Sequence, residues 1–415
     1  MSDQTSEQHG PISEPITNQQ PSPISENQLD NVPITNTHLR PHRKPKRPRR
    51  NRTNWLFLSI ALWIACVYVF YVFVLPEIQV RIFRYRFPKK FVPAELGLVW
   101  SSRTLLRTCE FLFVGWFFYF GASIGSFLNV VAGRMPEGRT IVFGGSKCPF
   151  CNTRLSFFDN SPVLGWLLLQ GRCRTCRLPI APRYLMIEIA VGAVFVWIGL
   201  WELFRSGANL PHWDSLGRSG LSSLIHFPPW PLVTASVEHA ALFAVLIMLA
   251  VANTGRLPFP IVPSLVIAGM LACPKVFDPQ LDFVAWSEPF RRSIAWSFGH
   301  CGNPVLSILI GGLVGMLLGW ISSCVTTKSF GSIVQRHWIL QCFLTGSVLG
   351  WQSVVIIVLL SLIAYGLMYA IWNSGSKERQ LWETLKRLGP SIFLIGACMA
   401  HHSFWRQIAY LLGIV

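Results

Sequence analysis

Runs of about twenty nearly uncharged residues recur along this 415-residue chain, and about twenty apolar residues in helix are needed to cross a hydrocarbon core of about 30 Å. No other feature limits the fold as much. Inside lipid each backbone N–H and C=O must be bonded within its own segment, which selects helices. The sequence therefore predicts an all-α polytopic membrane protein of about 8–9 transmembrane helices. The candidate spans are 55–75, 109–132, 185–204, 234–253, 259–274, 303–324, 338–350, 352–372 and 391–413. The seventh is short, and its boundary with the eighth is left open. Only 13% of the residues are charged, against about 25% in an ordinary soluble domain.

The formal charge of +17 sits in "RPHRKPKRPRRNR" (40–52) and in loops beside apolar runs. That pattern suits the lipid bilayer and its anionic headgroups and argues against nucleic acid as a partner. Residues 1–52 read as a disordered polar and basic tail, with no cleaved signal peptide. Residues 53–108 read as an extra membrane segment followed by a basic connector. The 40–52 block and the basic insert 134–184 both favour the cytoplasmic side, and two spans between them make these votes agree. Arg81, Arg84, Arg86, Lys89 and Lys90 in the 76–108 connector run against that rule. The orientation of 76–108, and whether 55–75 crosses, stay open.

Two Cys-x-x-Cys pairs, Cys148/Cys151 and Cys173/Cys176, stand on either side of residues 152–172. A two-residue gap turns both sulfurs of a pair toward one ion, and four thiolates with no open position describe a structural zinc site. An insert this small buries too little core to hold itself together, so metal binding can carry its folding. The cytoplasmic placement argues against disulfides. Cys66, Cys109, Cys273, Cys324, Cys342 and Cys398 lie singly in apolar segments, as small hydrophobes.

Around the pairs stand "GSFLNVVAGRMP" (125–136), "FFDNSPVLGWLLLQG" (157–171) and "RLPIAPRYLMIEIAVG" (177–192). In this order and spacing they resemble the amino-terminal half of bacterial prepilin peptidases, densely over 115–200 and more weakly to about 400. The resemblance implies a prepilin-peptidase-like region at 109–200 carrying the zinc insert 134–184, then a membrane half at 201–415 resembling the peptidase domain. It places the chain as a multi-pass protein of the bacterial cytoplasmic membrane with the insert on the cytoplasmic side. It also implies the family's chemistry: removal of the leader from type IV prepilins or type II secretion pseudopilins, then N-methyl transfer from S-adenosylmethionine. The partners would be prepilin or pseudopilin N-terminal helices.

That peptidase chemistry uses two aspartates, one as acid and one as base about a water. Counting from Leu257-Pro258 puts Val251 at the first position, with Phe259 in place of the Asp after the proline. Counting back from "GSVLGWQ" puts Trp338 at the second. No catalytic residue is assigned. After Glu188 the aspartates are Asp214, Asp278 and Asp282, all in apparent loops. Glu188, Glu202 and Glu238 read as residues near helix ends, the last two as interfacial anchors. His401 and His402 are adjacent with no partner cluster nearby in sequence, and His300-Cys301 lies in a loop. Gly121/Gly125 and Gly311/Gly315/Gly319 mark close helix packing, the latter a seam open to a prepilin helix. Three functions remain: a degenerate relative that binds prepilin, partners an active paralogue or keeps methyl transfer alone; an active peptidase and methyltransferase with relocated carboxylates; or a non-enzymatic membrane assembly module.

Overall fold

In the computed structural model, which describes residues 51–88, 100–141, 145–148, 150–210, 224, 228–255, 257–277, 281, 302–326, 331–373 and 379–411, each of the nine apolar runs is helical. The tail 1–50, Lys89, Lys90, Asp214, Asp278, Asp282, His300 and Cys301 lie outside the described residues. Helix α1 (Asn51–Val69) continues through a π turn (Phe70–Val74) into α2 (Leu75–Arg86). Pro76 has no N–H to give, and the π turn just before it is where the hydrogen-bond ladder changes register. The stretch Leu58–Arg86 is 29 residues long, about 44 Å at 1.5 Å per residue. That exceeds a hydrocarbon core of about 30 Å by about two and a half turns, and Arg81, Arg84 and Arg86 all fall in the last two turns of the helix.

Helix α3 (Trp100–Arg134) runs antiparallel to this first rod, joined by a polar seam. Arg103 pairs with Glu77 at 2.5 Å, Tyr71 donates to Glu110 at 2.7 Å, and Arg107 pairs with Glu110 at 3.1 Å. After the short α4 (Leu164–Leu168) comes α5 (Arg183–Ile198), which ends in a second π turn, Gly199–Leu203. A Cβ on Gly121 would stand 2.8 Å from the Phe195 ring, and one on Gly125 would stand 3.1 Å from the Glu188 Cα. Those two glycines are what let α3 and α5 pack.

The remaining helices are α6 (Trp230–Ala252), α7 (Ile261–Phe277), α8 (Gly302–Thr326), α9 (Ser332–Leu349), α10 (Trp351–Asn373) and α11 (Arg379–Leu411). Among the described residues, six helical stretches are long and apolar enough to cross a membrane, and Ile261–Phe277 is a shorter apolar helix. Helix α6 is the axis of the bundle: 78% of its apolar stretch is buried against 6% for Leu58–Arg86. Leu242, Phe243, Leu246, Met248 and Leu249 form its core contacts. The boundary left open between the seventh and eighth runs falls at Gly350, whose φ of +87° suits a residue without a Cβ.

One expectation is corrected. The Gly311/Gly315/Gly319 seam is already filled by the chain's own α9. A Cβ on Gly311 would fall on the Gly346 carbonyl, one on Gly315 on the Cys342 carbonyl, and one on Gly319 would come 3.0 Å from the Ile339 Cα. No room is left there for a prepilin helix.

Candidate functional site

The two Cys-x-x-Cys pairs fold into the same turn twice. In the first, the Cys148 N–H donates to Thr153 O and the Asn152 N–H donates to Cys148 O, both at 3.0 Å. In the second, Cys173 N–H donates to Leu178 O at 2.9 Å and Arg177 N–H to Cys173 O at 3.0 Å. Asn152 and Arg177 hold φ of +56° and +62°, and a single antiparallel bridge closes each turn, Lys147 with Arg154 and Arg172 with Pro179. The result brings four sulfurs within 4.8 Å of one another. Cys148 Sγ stands 3.7 Å from Cys176 Sγ, and Cys151 Sγ 3.8 Å from Cys173 Sγ. Tetrahedral thiolates about 2.3 Å from an ion stand about 3.8 Å apart, so the cluster has the dimensions of a metal site. The Thr153 hydroxyl beside Cys151 pulls that thiol down to about 6, toward the thiolate that ligates.

The stretch between the pairs is held by its own contacts. Arg174 forks onto Asp159, with Nε at 3.0 and 3.1 Å and Nη2 at 2.5 Å, and this holds the Asp159 carboxyl below its usual range. A Cβ on Gly165 would run into the Asp159 carbonyl carbon at 2.8 Å, so the loop closes on α4 only at glycine. Glu188, on α5, accepts from the Val163 N–H at 2.7 Å and ties α4 to the helix bundle. Asn129 of α3 adds a bond to Tyr184 O at 3.4 Å.

In the membrane half a second polar group is buried. The Phe259 N–H donates to His337 Nε2 at 2.8 Å, so Nε2 is an acceptor and the proton sits on Nδ1, which donates to Asn253 Oδ1 at 2.7 Å. Asn253 Nδ2 donates to Ser391 Oγ at 2.9 Å, Ser391 to Gln341 Oε1 at 2.8 Å, and Gln341 to Leu246 O at 3.1 Å. The chain runs in one direction, links α6, α9 and α11, and contains no carboxylate.

The description Bacterial Peptidase A24 N-terminal domain matches residues 119–202. The match is to this stretch of the chain, about a fifth of its length. The stretch holds the four cysteines, the Asp159–Arg174 fork and Glu188. Among curated proteins, the prepilin leader peptidase/N-methyltransferase of Myxococcus xanthus is 44% identical over 84 residues, which is 20% of this chain and 25% of that one. The Klebsiella pneumoniae enzyme of the same name is 44% identical over 95 residues, 21% of this chain and 42% of that one. The Aeromonas hydrophila enzyme of that name is 25% identical over 281 residues, 62% of this chain and 80% of that one. The chain thus spans less than half of the first two relatives, and the prepilin-peptidase resemblance read from the sequence holds. No solved structure matches the chain.

At the positions where the resemblance places the peptidase aspartates, Val251 lies half-buried at the end of α6 and Trp338 is 1% exposed on α9. The Trp338 indole donates to Ser322 Oγ at 2.9 Å. His337 is next to Trp338 and Asn253 is two residues past Val251, so the neutral chain passes beside both positions without including either.

The glutamates read as anchors are buried inside the bundle. Glu202 is 0% exposed and Glu238 3%. Glu238 stands 3.5 Å from Lys275, whose ammonium also bonds Val348 O. His402 does have partners, in space rather than in sequence: Glu202 of the second π turn and His239 of α6. Sequence alone could not pair residues so far apart in the chain. The available signal was polarity itself, since His239, His337 and Gln341 interrupt otherwise apolar runs.

Proposed function

We propose that this is a prepilin-peptidase-like protein of the bacterial cytoplasmic membrane in which the aspartyl pair has been lost and the binding of prepilin or pseudopilin N-terminal helices retained. One observation carries the reading. Both aspartate positions hold side chains that cannot exchange a proton with water, Val251 and Trp338, and the polar groups around them satisfy one another in a neutral relay. Amide hydrolysis by paired carboxylates needs two acids whose ionisation is split by proximity, and Asn253, His337, Ser391 and Gln341 supply none. The four cysteines, with sulfurs at tetrahedral thiolate spacing, hold zinc in this reading. The ion braces a loop that faces the cytoplasm.

Methyl transfer is the activity the loop could retain. Beside the second knuckle lies a cavity of about 390 Å³ lined by residues including Thr153, Leu155, Phe158, Asp159 and Arg174. That is within the size range of small-molecule sites, and it is the place where S-adenosylmethionine would be sought.

The test is co-expression with a prepilin from the same source in cells lacking other prepilin peptidases, reading the pilin amino terminus by mass spectrometry. The leader is expected to stay on while the prepilin co-purifies with the chain. Leader removal would overturn the reading and turn attention to Glu188, Glu202 and Glu238 by single substitution. Supplying pre-cut pilin asks about methylation separately: a methyl group leaves a half-enzyme, and none leaves a binding or assembly protein, alone or beside an active paralogue.

A further inference from the structure

The geometry points to a second metal site, inside the membrane half, where Glu202, His239 and His402 hold a divalent transition ion of the zinc class. Glu202 lies in the π turn Gly199–Leu203, His239 on α6 and His402 on α11. One carboxylate oxygen, one imidazole nitrogen from each histidine, all lie within 4.8 Å of one another. His239 Nδ1 is 2.7 Å from Glu202 Oε1, and His402 Nε2 contacts the same oxygen. The three residues are 0%, 1% and 0% exposed.

Simple hydrogen bonding accounts for this arrangement poorly. Both rings aim at Oε1, while the equally buried Oε2 has no hydrogen-bond partner. A buried carboxylate oxygen left unbonded costs free energy, and spreading the two donors over both oxygens would avoid that cost. Three ligand atoms gathered within 4.8 Å of one another in a dry interior are what an ion requires. Two imidazoles and one carboxylate suit zinc and its first-row neighbours over magnesium or calcium. With ion–ligand distances of about 2.0–2.2 Å, tetrahedral neighbours stand about 3.3–3.6 Å apart, so the 2.7 Å His239 contact opens by less than about 1 Å to admit it and the shorter His402 contact by somewhat more. Each ring proton then moves to the other nitrogen of its ring, so no proton leaves, and the entering ion takes the group's net charge from −1 to +1.

The surroundings are built to hold the ligands still. Trp197 and Phe243 pack their rings against His402 at centroid distances of 5.4 and 6.3 Å. Asn209 donates to His402 O at 3.1 Å and the Trp201 indole to Ser403 O at 3.3 Å. These bonds fix the α11 backbone against the segment that carries Glu202. π turns recur at functional sites, and this one places Glu202 in the bundle interior. Three protein ligands leave a fourth position open to water or to Oε2. The ion would fasten the end of the peptidase A24 region, which stops at residue 202, to α6 and α11.

The test is metal counting on the full chain purified in detergent and equilibrated with Zn2+. The wild type is expected to hold about two zinc ions per chain, one of which Glu202→Gln and His402→Gln each remove. Gln keeps the hydrogen bonds, so these variants should fold. Replacing all four loop cysteines by serine should leave about one zinc, still lost on adding Glu202→Gln. X-ray absorption at the zinc edge of the unmutated protein gives an independent reading: a mixed sulfur and nitrogen/oxygen shell is expected. A sulfur-only shell at about one zinc per chain, unchanged in Glu202→Gln, would overturn the site and leave a hydrogen-bonded triad.

Discussion

His337 shows how much a single side chain decides in this bundle. It accepts from the Phe259 N–H and donates to Asn253, so His337→Ala leaves two buried groups unbonded at about 1–3 kcal/mol each. Its melting temperature in detergent should fall well below that of Gly366→Ala, where an added Cβ meets nothing within 4 Å. Equal shifts would mean the relay contributes nothing. Asn253→Ala combined with Ser391→Ala should be non-additive, because the two side chains share a bond at 2.9 Å. Asp159 supplies the pH-dependent case. Arg174 lowers its folded-state pKa, so its contribution is present above the ordinary carboxylate range and lost as pH falls through the lowered value. Because Arg174 is 64% exposed on its side chain, Asp159→Asn should cost less than about 1 kcal/mol at pH 7. Hydrogen exchange of the loop amides should show that difference at pH 7 and show it shrinking in acid.

At the scale of elements, glycine spacing is the organising device. Helices α8 and α9 meet where Gly311 and Gly315 face the carbonyls of Gly346 and Cys342. Without a hydrophobic drive between helices in lipid, such backbone approach supplies much of the packing. Gly315→Ala or Gly311→Ala should cost about 1–3 kcal/mol by overpacking, while Gly115→Ala, with nothing within 4 Å, should be neutral or slightly stabilising. Unfolding of the three variants in mixed micelles checks this, and equal behaviour would deny the seam. These motifs were legible in the sequence, but their partners were not. GxxxG marks a face for close approach and leaves unstated whether the chain itself or another helix fills it.

For the whole molecule, the two halves should respond differently to metal removal. If the four cysteines hold zinc as proposed, a chelator should open residues 145–182 to protease while the helical content of the membrane bundle persists, because the loop lacks a core of its own and the bundle buries 78% of the apolar stretch of α6. Proteolysis mapped by mass spectrometry, beside far-ultraviolet circular dichroism, reads both outcomes. The sequence by itself determined the class, the places of the apolar helices and the four cysteines. Those rest on local facts: the length of an uncharged run, a two-residue gap, a glycine every fourth position. It also carried the likeness to prepilin peptidases, because that motif set is contiguous over 119–202. Tertiary structure alone decided that Glu202 and Glu238 are core residues, that His402 meets His239, and that a neutral relay runs through Val251's end of α6 and Trp338's turn of α9. Each joins helices far apart in the chain, where a polar residue in an apolar run announces that it needs a partner but cannot say which one the packing will bring.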